Sequence, residues 1–285
     1  MPAPVLVGYD GSAGATTAIS LAANLLPAGH ARVAHLWCPP DRGSALHRRL
    51  AHRAATDEHL DTLVEKEVAA AAKNVAAAGV VLAEAAGWSA EPLVVGVYGG
   101  EGIELARLAE QHGAAVVVVG SRGLGGLRGL LGSVSDLTVN HSPVPVLVVP
   151  PMLAEERAAT VAGPVLIAHD GSAGAERARE AATALLPGRS QVVVRVEAPL
   201  DLRSPGTSDR PDAEALPAGA RTLHAEAFGP RAIADALAEE AADHGAGVIV
   251  VGSRGRSMIR EALLGSVARA VVHHAHRPVL VVPSP

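Results

Sequence analysis

Cysteine occurs once, at Cys38, so no disulfide can form within the chain, and a reducing compartment fits. Aromatic residues make up only 2% of a chain that is 49% hydrophobic, so its cores must be built from Ala, Val and Leu. No apolar run reaches the ~18 uninterrupted residues of a membrane span. Nor does the N-terminus, Met1-Pro2-Ala3-Pro4 followed by Val5-Leu6-Val7, carry a basic segment and a long apolar one. A cytoplasmic protein without membrane partners is expected. Excess positive charge is also missing: the formal net charge is −5, which gives no electrostatic reason to expect nucleic acid.

What is present is a stretch that occurs twice. The first copy is Val116-Val117-Val118-Val119-Gly120-Ser121-Arg122-Gly123, a Gly/Leu-rich segment, then Gly132-Ser133-Val134-Ser135. The second is Val248-Ile249-Val250-Val251-Gly252-Ser253-Arg254-Gly255, a similar segment, then Gly265-Ser266-Val267-Ala268. A β-branched run feeding a glycine-rich loop and then a helix is how a parallel sheet turns backbone N–H groups toward phosphates. Both copies read as nucleotide-binding loops. Neither is a Walker A, because no Gly-Lys-Ser/Thr follows and no lysine is there to grip phosphates. Neither is a dinucleotide fingerprint, which would follow the first strand and not the fourth.

The remaining elements repeat too. Strands are predicted at Val5–Tyr9, Arg32–Trp37, Pro92–Val97, Val116–Val119 and Val146–Val149, and helices at Ala13–Leu26, Leu60–Ala86, Gly102–His112 and Val134–Asn140. In the long second helix, apolar spacing continues past Gly79, and Gly87 is the expected C′ residue. Residues 150–163 read as a linker with a helical turn at Leu153–Ala159, between domains at 1–150 and 164–285. The pattern then restarts at an offset of 160 residues, with strands at Val165–Ala168, Val192–Val196 and Arg221–Ala227 and helices at Ala175–Leu186 and Arg231–His244. By the second glycine loop the offset is 132, so the second copy lacks 28 residues where the long helix stands in the first. Pro199–Gly219, with four prolines, predicts a loop there and a sheet face less well covered. Repetition at this level is strong evidence for two α/β units with parallel sheets.

Asp10-Gly11-Ser12 and Asp170-Gly171-Ser172 end the first strand of each unit. A carboxylate at that edge can accept from ribose hydroxyls or sit beside a phosphate-bound cation; equally, it can be the N-cap of the next helix. Gly120, Gly123, Gly252 and Gly255 suit close ligand approach, and Ser133 and Ser266 sit at a helix start where N–H groups can meet an anion. The alternative is a plain strand-to-helix turn with a serine N-cap. Arg122, Arg128, Arg254, Arg256 and Arg260 could reach phosphates or lie solvated at the surface. His273, His274 and His276 match no metal spacing, and Tyr9 and His169, which precede the aspartates, differ too much to share a catalytic duty. No metal ligand is assigned, and no Ser/His/Asp or Cys/His set recurs in both halves, so an enzyme has no support beyond a slow ATPase.

These residues together resemble the universal stress protein family, as a tandem two-domain member. The resemblance rests on the Asp-Gly-Ser strand ends, the paired Gly-Ser-Arg-Gly loops, and Gly-Ser-Val opening the last helix before Pro-Val-Leu-Val-Val. In its ATP-binding members the motif is Gly, two residues, Gly, nine residues, Gly-Ser/Thr. The second copy matches with nine residues, 256–264, whereas the first has eight, 124–131. The resemblance implies a five-stranded parallel sheet of order 3-2-1-4-5 in each unit, Rossmann-like, with ATP, with or without Mg²⁺, across strands 1 and 4. It places Asp10 and Asp170 at ribose, and Leu36, Val196, Val119 and Val251 at adenine. Gly132-Ser133-Val134-Ser135 and Gly265-Ser266-Val267-Ala268 fall at the phosphates, where Ala268 would remove one contact. It also implies pairing through strand 5, so that Val146–Val149 and Val279–Val282 form an intramolecular pseudo-dimer, with a homodimer as a further option. The implied role is stress sensing or regulation; the alternative is a scaffold of the same fold that no longer binds nucleotide.

Overall fold

The computed structural model describes residues 4–27, 29–121, 131–199, 216–255 and 264–284. Its first half runs β1 (Val5–Gly8), α1 (Ala13–Leu25), β2 (His30–Trp37), α2 (Ala45–Leu50), α3 (Asp57–Ala85), β3 (Ser89–Gly96), α4 (Glu101–Gln111), β4 (Val116–Gly120), α5 (Ser133–His141) and β5 (Val146–Val149). After α6 (Ala154–Ala162) come β6 (Val165–Ala168), α7 (Ala173–Leu185), β7 (Gln191–Glu197), β8 (Arg221–His224), α8 (Pro230–Asp243), β9 (Val248–Gly252), α9 (Ser266–His274) and β10 (Val279–Val282).

Each half has the expected strand order, all parallel, but the halves do not form separate sheets. The order is β3-β2-β1-β4-β5-β10-β9-β6-β7-β8, one ten-stranded sheet. Its single antiparallel junction is β5 against β10, in the register Val279↔Val148, Leu280↔Leu147, Val281↔Val146. All eight residues of these two strands are buried. Pairing them satisfies two backbone edges that each half alone would leave open, the general liability of edge strands. Alternate residues of every strand feed two cores, one on each sheet face. A parallel sheet covered on both faces accounts for Val-rich strands that do not alternate with polar residues.

Helix α3 continues through Val80-Val81 as its spacing predicts, and Gly87 takes a left-handed φ of 94° just beyond it. Thr56 caps it by accepting from the His59 amide at 3.2 Å, with Asp57 and Glu58 in the first turn. Gly79 is there because the helix crosses the sheet at that point. A Cβ would meet Tyr9 Cδ1 and Val33 Cγ1, each at 2.7 Å. Among the described residues α3 is the one helix long and apolar enough to cross a membrane. Much of that apolar character is alanine, and its inner side packs on β2, β3 and α1.

Two features were not legible beforehand. Helix α2 lies in a stretch for which no element was predicted, and Ser44 caps it by accepting from the His47 amide. The expected linker is largely α6, packed on α1 and tied by Asn24 Nδ2 donating to Thr160 Oγ1 at 3.2 Å. Arg189 adds four bonds, donating to the carbonyls of Asn24, Thr160, Val161 and Gly163. Most of the expected loop at Pro199–Gly219 lies outside the described residues. Its consequence is visible in β7: Ala31 and Val33 are fully buried beneath α3, while their counterparts Gln191 and Val193 are only half-buried.

Candidate functional site

The carboxyl ends of β6 and β9 lie side by side at the point where the strand order of the second half reverses, the place open parallel sheets reserve for ligands. A cleft of ≈ 220 Å³ opens there. Its lining contains every second-half position expected from the sequence: Asp170, Val196, Val251, Gly252, Arg254, Gly255, Gly265, Ser266, Val267 and Ala268. It also contains Ala168, His169, Ala175, Val194, Ser253, Ile233 and Leu237, which the sequence reading missed. Val194 was within reach of it, since strand periodicity puts Val194 and Val196 on one face. Ile233 and Leu237 stand four apart on α8 and so share a helix face.

Each acidic turn has the same local logic. Gly11 and Gly171 adopt left-handed φ values of 82° and 84°, which folds the preceding aspartate back over the turn. Asp10 Oδ1 accepts from the Ser12 amide at 2.9 Å, and Asp170 Oδ1 from the Ser172 amide at 3.0 Å. The aspartates are not the helix N-caps. That duty falls to Ser12 and Ser172, whose hydroxyls accept from Ala15 N and Ala175 N. The carboxylates are instead held at the strand end, and in the second half Asp170 meets the glycine loop directly. A Cβ on Gly255 would stand 2.5 Å from Asp170 Oδ2.

The first loop glycine has another purpose. A Cβ on Gly252 would strike the Gly174 backbone at 2.8 Å, and one on Gly120 the Gly14 backbone at 2.9 Å. These glycines let β4 and β9 pack against the first turns of α1 and α7, a role in helix–sheet packing.

The phosphate segment is tied identically in both halves. Ser121 O accepts from Gly132 N and Ser253 O from Gly265 N, each at 2.7 Å. The one-residue difference in loop length is thus confined between two fixed anchors. Arg122, Gly123 and Arg128 of the first loop, and Arg256 and Arg260 of the second, lie outside the described residues. Helices α5 and α9 begin on Gly132 and Gly265 with no side-chain cap, so Ser133 and Ser266 are first-turn residues and not N-caps. Both are exposed. The N–H groups of an uncapped first turn carry the positive end of the helix dipole and suit an anion. Ser135 behaves differently from expectation. Its hydroxyl is buried and donates to Gly120 O at 2.6 Å, so its one proton is spent and a phosphate gains nothing from it. Ala268 therefore removes a strut to strand 4, and not a phosphate contact.

The two halves differ at two small-residue positions. The first half brings Asp10, Leu36, Val119, Gly120, Gly132, Ser133, Val134 and Ser135 to corresponding positions. Gly8, however, stands where the second half has Ala168, and the Leu105 and Val119 side chains close in to 2.9 and 3.2 Å from where its Cβ would be. Gly102 stands where the second half has Ala234, and there α4 presses on the Val134 carbonyl and Leu137 of α5. The second half thus carries a methyl group at each place where the first has a close-packed glycine, and Ala168 lines its cleft.

Two parallel half-sheets, each with an acidic turn after strand 1 and a glycine loop after strand 4, define an α/β ligand-binding fold of the doubly wound class. The sequence profile of the universal stress protein family matches residues 1–150 and again 162–283, and the chain belongs to that family. A universal stress protein of Mycobacterium tuberculosis (strain ATCC 25618 / H37Rv) is 34% identical over 198 residues, 59% of this chain and 61% of that protein. The chain thus spans about three-fifths of the length of the curated relatives it matches (61%). A crystallised universal stress protein of Archaeoglobus fulgidus DSM 4304 shares the fold with a TM-score of 0.60 at 22% identity, covering 99% of this chain and 96% of its own. A Pseudomonas aeruginosa PAO1 protein of unknown function gives 0.57 at 15% identity, covering 99% and 93%.

Proposed function

We propose that the second half binds an adenine nucleotide, ATP with or without Mg²⁺, and that the protein acts as a cytoplasmic stress sensor or regulator. The observation that carries this reading is the convergence of three unlike surfaces on one cleft. Val194, Val196, Val251 and Ile233 supply an apolar wall for a base. Asp170, locked in its turn, supplies acceptors for ribose hydroxyls. Gly265 and Ser266 open an uncapped helix toward phosphates, and Arg254 lies on the same wall. The single cysteine supports a reducing compartment.

The first half favours the second reading, an interaction or scaffold unit. With Leu105 and Val119 drawn in over Gly8, its base-binding space is reduced. Calorimetric titration of the full chain with ATP tests both readings together. One saturable site, weakened at least tenfold by Asp170→Ala and unchanged by Asp10→Ala, is expected. No saturable binding, or binding that depends on Asp10 alone, overturns the assignment.

A further inference from the structure

We propose that His169 is a positioning residue whose neutral imidazole holds the Asp170–Ser172 turn, so that its protonation releases the turn and weakens binding in the second cleft. The effect on binding rests on the nucleotide reading above; the latch itself does not. His169 is 4% exposed and lines the cleft immediately before Asp170. The Gly171 amide donates to its Nδ1 at 3.1 Å. An N–H can be received only by a lone pair, so Nδ1 carries no hydrogen and the ring proton sits on Nε2. There it faces Glu176 Oε2 at 3.3 Å.

Protonation places a second hydrogen on Nδ1, directly opposed to the Gly171 N–H. Two donors cannot share that line, so the amide must swing away, and Gly171 is the left-handed hinge that sets the Asp170 carboxylate. Charged groups face the ring and its turn from several elements. Glu176 on α7 offers its carboxylate to the imidazolium, although Arg179 on the same helix also holds it, donating from Nη2 at 2.5 Å. From β7, Arg195 Nη2 lies 3.5 Å from the Asp170 carbonyl. Asp170 itself and Arg254 after β9 complete the charged groups around the turn. The first half has no such device: Tyr9 stands there, its hydroxyl 3.4 Å from Thr16 Oγ1, with no ring nitrogen to receive an amide.

The test is ¹⁵N NMR on the full-length protein together with ATP titrations across pH. The Nε2–H tautomer is expected at pH 8, with the Gly171 amide resonance moving at the same midpoint as the His169 ring. An Nδ1–H tautomer, or a Gly171 amide indifferent to the ring, overturns the proposal. ATP affinity should fall about tenfold across that midpoint, the lower end for one charge-assisted hydrogen bond. His169→Asn keeps an acceptor for the amide and has no proton to gain. Whatever its affinity at pH 8, it should lose the extra pH dependence, whereas His169→Phe should bind weakly throughout. ATP's own protonation is common to all three, so equal pH slopes in the natural protein and the asparagine variant also overturn the proposal. If ATP binds at no pH while ring and amide still titrate together, the nucleotide reading falls and the latch stands.

Discussion

Gly255→Ala isolates the contact between the glycine loop and the acidic turn. The new Cβ would lie 2.5 Å from Asp170 Oδ2. Carbon and oxygen tolerate about 3.3–3.6 Å, so carboxylate and loop must part by ~1 Å. Because φ at Gly255 is outside the left-handed region, alanine introduces no backbone strain of its own. Restricting the unfolded chain even favours the variant, by about 0.4–1 kcal/mol. Stability should therefore hold while binding suffers. A carboxylate displaced that far forfeits a charge-assisted hydrogen bond to a ribose hydroxyl, about 1.5–3 kcal/mol, or about 10- to 150-fold in Kd. Titration calorimetry with ATP reads the loss, and thermal unfolding checks that Tm has not dropped. Gly252→Ala is the mirror control, since its Cβ strikes the Gly174 backbone and should cost about 1–3 kcal/mol of stability. If Gly255→Ala binds ATP within twofold of the natural protein, the loop does not set Asp170 and the reasoning fails.

Gly79→Ala should lower Tm although alanine is the better helix former, because the methyl group has no room beside Tyr9 and Val33; a raised Tm would refute the tight crossing of α3. Leu147→Ala and Leu280→Ala, which remove facing side chains of β5 and β10, should each cost about 2–5 kcal/mol and couple in a double-mutant cycle by denaturant unfolding. Burial holds the His273 imidazole below its ordinary value, with the neighbouring His274 and Arg269 acting the same way and Asp136 opposing them. The unfolded chain then binds the extra proton first, so stability should decline as pH falls through the ordinary histidine range, less so in His273→Gln. The Glu176 carboxyl is held below the usual carboxylate value chiefly by Arg179, against the opposing effect of burial and with help from His169. Its contribution is present above the unfolded value and lost as pH falls toward the lowered folded one; at a partly exposed pair the loss should be under about 1 kcal/mol by thermal melts between pH 6 and 3.

Strand positions were accessible from sequence because β-branched runs and glycine breaks are local signals, and the chain states them twice; the strand order and the strand-5 junction came only with the family resemblance. Residue roles within the turns were not. Whether Asp10 or Ser12 caps α1 depends on a left-handed glycine between them, and residue types alone fit either. Ser135 looked like a phosphate donor because hydroxyls at helix starts often are; only its distance to Gly120 O shows where the proton goes. The difference between the halves hides in Gly8 against Ala168 and Gly102 against Ala234, single methyl groups whose effect depends on which side chains lie opposite. His169 seemed incidental because Tyr9 occupies the matching place, and its function as an acceptor is visible only once Gly171 turns its amide inward.

The antiparallel seam between β5 and β10 has a geometric result for whatever reads this protein. Since strands of the two halves run in contrary senses, their carboxyl ends emerge at opposite rims of the sheet. One flat receptor cannot touch both turn clusters at once. A surface laid against one rim leaves the other, with its own turn cluster, uncovered.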